Sequence, residues 1–173
     1  MAEGKVIFHV GVFGIGARII DGDVKILVNV RTDQARQKEF AKLPPESAVL
    51  LVDCPGGTIK HGDKSRQEAL EREILEELGC SFVSIGEFSQ PLELMGDRPE
   101  PYDLASWKPV RFVGEIKPSN EAKDHPWVSR KELETADRYR PVSGLGLAGR
   151  TGRMMTAALD FFEKNRDKSE LFS

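Results

Sequence analysis

The chain has little of what marks several common protein classes. It holds two cysteines in 173 residues, and Cys54 and Cys80 have no C-x-x-C spacing. That is too sparse for a disulfide scaffold and wrongly spaced for a zinc site, so two buried thiols are expected. No apolar run approaches the roughly 18 residues that a membrane-spanning helix needs. The opening Met1-Ala2-Glu3-Gly4-Lys5 carries no hydrophobic signal segment. A cytoplasmic protein with no membrane partner is therefore expected. The formal net charge of −3 provides no basic excess, which argues against bulk nucleic-acid binding. No repeat or linker divides the chain, and its length suits one hydrophobic core. One domain over residues 1–173 is expected, with a tail that frays from about Asn165.

What is present is a series of short apolar runs separated by turn residues. Val6–Gly14 and Val24–Val30 read as strands, and Asp21-Gly22-Asp23 between them reads as a hairpin turn. Residues 34–42 read as a loop or short helix, and 48–53 as a strand. A helix is expected over about Ser65–Leu78, then strands over Phe82–Phe88 and Trp107–Ile116. Pro91–Ser106 is rich in proline and charge and reads as a variable loop. Ser129-Arg130-Lys131-Glu132 has the capping-box pattern of a short helix. Arg150–Lys164 carries Met154, Ala158, Leu159 and Phe162 on one helical stripe. Helices alternating with strands of mixed direction indicate a layered α/β fold.

The most informative stretch is Cys54–Cys80, CPGGTIKHGDKSRQEALEREILEELGC. On a 3.6-residue period Glu73, Glu76 and Glu77 share one face, while Leu70, Ile74 and Leu78 form a separate stripe for a core. Gly79 stands where a helix ends in a left-handed residue. Three crowded carboxylates repel one another, and in a cleft a cation is the natural remedy. Hard oxygen ligands suit Mg²⁺, which keeps waters and shares its shell with phosphates. A plain solvated acidic face is the competing reading, but the Pro55-Gly56-Gly57 turn ahead of the helix weighs against it. Two phosphate-loop readings fail. Gly57-x4-Gly62 is followed by Asp63 where a P-loop needs lysine. Gly14-Ile15-Gly16 lacks the third glycine of a dinucleotide fingerprint and fits better as a strand interruption where backbones approach closely.

The stretch resembles the Nudix box, G-x5-E-x7-R-E-U-x-E-E-x-G-U, where U is aliphatic. Gly57, Arg72, Glu73, Ile74, Glu76, Glu77 and Gly79 match, and Cys80 takes the last aliphatic place. Asp63 stands for the first glutamate, and eight residues rather than seven separate it from Arg72. The extra residue falls in the loop Lys64-Ser65-Arg66, before the helix, so the spacing of the carboxylate face is kept. A strand ending in Arg31 before the box and Trp127-Val128-Ser129 after it extend the likeness.

The resemblance implies an α/β fold of Nudix type, an α-β-α sandwich with a mixed central sheet. It implies hydrolysis of a nucleoside diphosphate linked to another moiety, with Mg²⁺ or Mn²⁺ as cofactor and a nucleotide-derived small molecule as partner. Carried over by position, Glu73, Glu76, Glu77 and the backbone carbonyl of Gly57 would hold metal. Arg72 would orient the glutamates, and Arg31, Gly56 and Gly57 would meet substrate. The base would be Glu73 or Glu76, or an acid from a distant loop, for which Glu93, Asp97, Asp103 and Glu121 stand as candidates. Trp107, Trp127, Tyr102 and Phe13 are expected to pack rather than stack on a base. His9 reads as a packed strand residue, His61 as part of the glycine loop, and His125, before Pro126, as loop. The absence of a dimerising extension and of a coenzyme A motif leans towards nucleoside triphosphates or dinucleoside polyphosphates and leaves sugar nucleotides and ADP-ribose open. A non-catalytic nucleotide-binding module and a protein-interaction domain that docks through the acidic helix are the alternatives.

Overall fold

The computed structural model describes residues 9–32, 43–93, 103–142 and 146–173. At its centre, β1 (His9–Ile15) runs parallel to β9 (Asp103–Val113) and antiparallel to β6 (Gly56–Thr58). The strand order is β6-β1-β9-β7, with β7 being Ser81–Ser84, and β8 (Leu92–Glu93) also pairs with β9. A second sheet has the order β10-β4-β5-β12, built from Ala122–Asp124, Asn29–Arg31, Leu50–Asp53 and Tyr139–Pro141. A third joins β11 (Trp127–Ser129), β3 (Asp23–Leu27) and β2 (Ala17–Ile20). Parallel and antiparallel pairs coexist in the first two.

Helices cover both faces of this scaffold. The acidic run ahead of Cys80 forms α1 (Arg66–Leu78). The Ser65 hydroxyl caps it by accepting from Glu68 N–H, and Gly79 closes it at φ +65° with its N–H on Leu75 O. Its apolar stripe, Leu70, Ile74 and Leu78, packs with Val12, Val110 and Phe112. The short α2 (Arg130–Thr135) carries the expected capping box, with Ser129 and Glu132 bonded reciprocally. On the opposite face α3 (Arg150–Lys164) buries Met154, Ala158, Leu159 and Phe162 against Phe13, Ile15, Ala105 and Trp107. The α-β-α layering follows from β9 alternation. Val110 and Phe112 point to α1, while Ala105 and Trp107 point to α3. Ile74 has no exposed surface. Ile74→Ala is expected to cost about 2–5 kcal/mol in denaturant unfolding, and a loss under 1 kcal/mol would refute this packing.

Several expectations need correction. The Asp21-Gly22 turn joins β2 to β3, not β1 to β3. Both turn residues have positive φ, +53° and +82°, as a tight primed hairpin demands. The run Val24–Val30 breaks at Val28, whose N–H bonds Pro126 O rather than a neighbouring strand. The strand expected over Phe82–Phe88 is shorter, and Asp103–Ser106 belong to β9 rather than to a loop. The end of the chain does not splay at Asn165. It turns through a 3₁₀ segment, Ser169–Leu171, and docks with Ser173 N–H on Ala17 O and Phe112 N–H on Ser173 Oγ. Residues 34–42, Asp97 and Tyr102 lie outside the described residues. Gly16 does mark a close approach, because a Cβ there would meet Phe112 at 2.7 Å. Phe13 and Trp107 are core residues, the latter edge-on to Phe161. Both cysteines are free and buried. No helix among the described residues is long and apolar enough to cross a membrane.

Candidate active site

The site is built where the Pro55-Gly56-Gly57 turn enters β6 beneath α1. Gly14 N–H bonds Pro55 O, and Ile59 N–H bonds Val10 O, across the β1–β6 ladder. Successive residues of a strand point their amide groups to alternate sides, so Gly56 and Thr58 turn theirs away from β1 and towards α1. Gly56 N–H accordingly donates to Glu77 Oε2 at 2.8 Å, and Thr58 O accepts from Arg72 Nη2 at 3.2 Å. Gly57 lies under the Glu73 carboxylate, which a Cβ on Gly57 would meet at 2.6 Å. Gly57 is thus required by the approach of the Glu73 carboxylate, and Gly56 by its positive φ and its closeness to the backbone of β1.

Arg72 organises those acids. Its Nε and Nη2 form a fork on Asp63 at 3.0 and 2.8 Å. Nη1 reaches Glu73 Oε1 at 2.6 Å and Glu76 Oε2 at 3.3 Å. With Thr58 O, all five N–H directions of the guanidinium have acceptors. Arg72 is therefore fully engaged within the protein and orients its neighbours. The fork, helped by Lys60 N–H, holds the Asp63 carboxyl down at about 2. The short side chain and the extra loop residue thus still bring Asp63 onto Arg72. Arg72→Lys keeps the charge but loses the fork. It is expected to lower activity or metal affinity about 10–100-fold in a steady-state assay with metal titration. Wild-type values in the lysine variant would refute this role.

The three glutamates are not equivalent. Glu73 and Glu77 are buried at 6% and 3% exposure, while the Glu76 side chain is half exposed and shares Arg72 and Lys60. Glu77 is pushed up to about 8, chiefly by burial and further by Asp53 and Glu121. The Gly56 N–H and the Asn29 amide pull it back. Both of those donors sit on Oε2, and Oε1 accepts no hydrogen bond among the described residues.

The remaining candidates surround this core. Arg31 closes β4. Its charge, with that of Arg150 at the start of α3, opposes the upward push of burial on Asp53. Asp53 accepts from Cys54 N–H at 2.8 Å and Thr151 Oγ1 at 3.4 Å, tying α3 to the strand that feeds the glycine turn. Glu121 precedes β10, its backbone O accepts from Thr32, and its charge is felt at Glu77. Glu93 and Asp103 are placed by their backbones in β8 and β9. Asn29, His125 and Arg150 join the site without having been expected there. Asn29 left a usable sign, an uncharged polar residue between Val28 and Val30 in a mostly apolar run.

Among the described residues, no three His, Cys, Asp or Glu side chains stand gathered as a metal cage. Glu73 and Glu76 are turned onto Arg72 and Lys60 instead. The donor set nevertheless fits a hard divalent cation. It is all oxygen, it includes a buried carboxylate with one open oxygen, and its cationic neighbour Lys60 is a mobile-stemmed, 59% exposed side chain that an ion can replace.

Mixed sheets between α1 and α3, with an acid-bearing helix entered through a glycine turn, define the Nudix architecture. The NUDIX domain model matches residues 14–144, and the chain belongs to the Nudix family. No curated protein matches it by sequence. Among solved structures it is similar to a NUDIX hydrolase from Nitrosomonas europaea, with a TM-score of 0.60 and 16% identity over 92% of this chain and 90% of that one. It is similar to the NUDIX domain of Shewanella oneidensis NrtR complexed with ADP ribose, with a TM-score of 0.60 and 12% identity over 94% and 93%. A third likeness is to a C. elegans Ap4A hydrolase, with a TM-score of 0.55 and 14% identity over 92% and 98%. These likenesses are of fold.

Proposed function

We propose that the chain hydrolyses a pyrophosphate bond in a nucleoside diphosphate linked to another moiety, using carboxylate-held Mg²⁺ or Mn²⁺. The observation that carries this reading is the burial of Glu73 and Glu77 against the Gly56-Gly57 turn, with Glu77 Oε1 unpartnered among the described residues. Glu73, Glu76 and Glu77 supply the side-chain ligands. The backbone ligand is placed in the Gly56-Gly57 turn beneath these carboxylates, with the Gly57 carbonyl as its candidate. A divalent cation bound there neutralises pyrophosphate oxygens and lowers the pKa of a water. Arg72 holds Glu73 and Glu76 in place, and Arg31 is offered as a phosphate contact at the β4 end. Glu121, whose charge reaches Glu77, is the favoured proton acceptor among the loop acids.

Nucleoside triphosphates and dinucleoside polyphosphates are the favoured substrates, with ADP-ribose and sugar nucleotides next. The structural relatives support a ligand of this kind, since ADP-ribose and Ap4A both contain phosphoanhydride bonds. The double variant Glu76→Gln with Glu77→Gln tests the reading. Turnover is expected to vanish while circular dichroism stays native, and full activity would overturn it.

A further inference from the structure

We infer that His125 is a positioning residue for Glu77, acting through the side-chain amide of Asn29. The inference rests on the reading of Glu77 as a metal ligand. Asn29 is 1% exposed and Glu77 3%, so neither can turn to water for a partner. Glu77 Oε2 already accepts the Gly56 N–H at 2.8 Å, which marks it as the accepting oxygen of this carboxyl. Glu77 Oε2 therefore fixes the NH₂ end of the Asn29 amide, with Nδ2 at 2.9 Å. The carbonyl end must then face the other way, and there Asn29 Oδ1 lies 2.8 Å from Nδ1 of His125. An amide oxygen cannot donate, so the proton of this contact belongs to His125 Nδ1. Turning the amide over would place Oδ1 against Oε2 and Nδ2 against a ring N–H. The donor on His125 is what makes one orientation of Asn29 the only satisfied one.

The loop holds the ring in place, since the His125 backbone N–H donates to Asp124 Oδ1 at 2.8 Å. Nε2 faces a second acceptor, Lys117 O, at 3.1 Å. A neutral ring has one N–H, and the exposed Lys117 O can take its donor from water whereas the buried Asn29 Oδ1 cannot. The next residue, Pro126, accepts from Val28 N–H at 3.1 Å, beside Asn29 in the chain. The loop between β10 and β11 is thereby registered against the start of β4, and its imidazole is aimed at Asn29. The consequence falls on Oε1. With Gly56 N–H and Asn29 Nδ2 both spent on Oε2, the carboxylate plane is set and the open oxygen keeps one direction. Outer partners of this kind orient ligands, and their loss commonly weakens metal binding about 10–100-fold.

Direct Mn²⁺ binding by the full chain, read by electron paramagnetic resonance, tests this without any activity assay. His125→Leu removes the donor, whereas His125→Asn can present an amide N–H near the position of Nδ1. The leucine variant is expected to bind Mn²⁺ about 10–100-fold more weakly and the asparagine variant to recover most of that loss. Equal binding by leucine variant and wild type, or equal weakening in both variants, would overturn the inference. A wild-type chain that binds no Mn²⁺ would instead overturn the metal reading itself. Nitrogen-15 spectra of wild-type His125 give a check that needs no variant. Nδ1 is expected to be protonated at neutral pH, and a bare Nδ1 with the proton on Nε2 alone would contradict the relay.

Discussion

Glu77→Gln is expected to cut turnover about 10³-fold or more while leaving the metal-free protein at least as stable as the wild type. The two effects share one cause. Burial raises the Glu77 carboxyl from 4.5 to about 8, so the unfolded chain releases that proton more readily than the folded one. The stability linked to this group is complete below about 4.5 and is lost as pH rises through about 8. At neutral pH in chelator the penalty is up to roughly 3 kcal/mol. Glutamine has the same shape, its oxygen can take the bonds from Gly56 and Asn29, and it carries no charge to desolvate. Thermal melts in chelator should therefore show wild-type stability falling from about pH 5 to pH 8 and the variant escaping that fall. Added Mg²⁺ should raise the melting temperature of the wild type and leave the variant unmoved. An active variant, or one that Mg²⁺ stabilises as it does the wild type, would remove Glu77 from the metal site.

Gly56→Ala should have the largest effect on folding. Gly56 sits at φ +140°, where a side chain is strained, and its Cβ would lie 2.1 Å from Val12 O and 2.7 Å from Phe13 Cα. Both obstacles are backbone atoms of β1, the central strand, which cannot step aside without breaking its ladders to β6 and β9. A loss of at least about 3 kcal/mol is expected, read from denaturant midpoints, together with loss of the Gly56 bond that orients Glu77. Gly62→Ala is the control in the same loop. Nothing lies within 4 Å of a Cβ there, and a change within about 0.5 kcal/mol is expected. Similar costs at the two positions would show that the turn is not pressed against β1 in this way.

Features encoded by residues close together in the chain are legible in the amino-acid sequence alone. The α1 stripe, the Gly79 stop, the capping box at Ser129 and the Arg150–Lys164 helix each rest on periods or caps within a few residues. The parallel pairing of β1 with β9 is not legible, because it joins segments far apart in the chain. The Asp-Gly turn is recognisable, but its first strand is not, because Gly16 divides the opening run into β1 and β2. The site divides along the same line. The spacing of Glu73, Glu76 and Glu77 announces a shared face, but only the fold separates the buried pair from the rim residue. Asp63 looks defective by length and spacing, and the loop ahead of α1 absorbs both to deliver it to Arg72. The Glu77–Asn29–His125 chain links three distant segments and has no local signature.

The most direct test of metal-assisted pyrophosphate hydrolysis is product release from a substrate panel with Mg²⁺, Mn²⁺ or chelator. The panel holds nucleoside triphosphates, dinucleoside polyphosphates, ADP-ribose and sugar nucleotides. Release of a nucleoside monophosphate from one class, stopped by chelator and restored by metal, is the expected result. No release from any class by metal-loaded protein, or release that chelator leaves untouched, would contradict it.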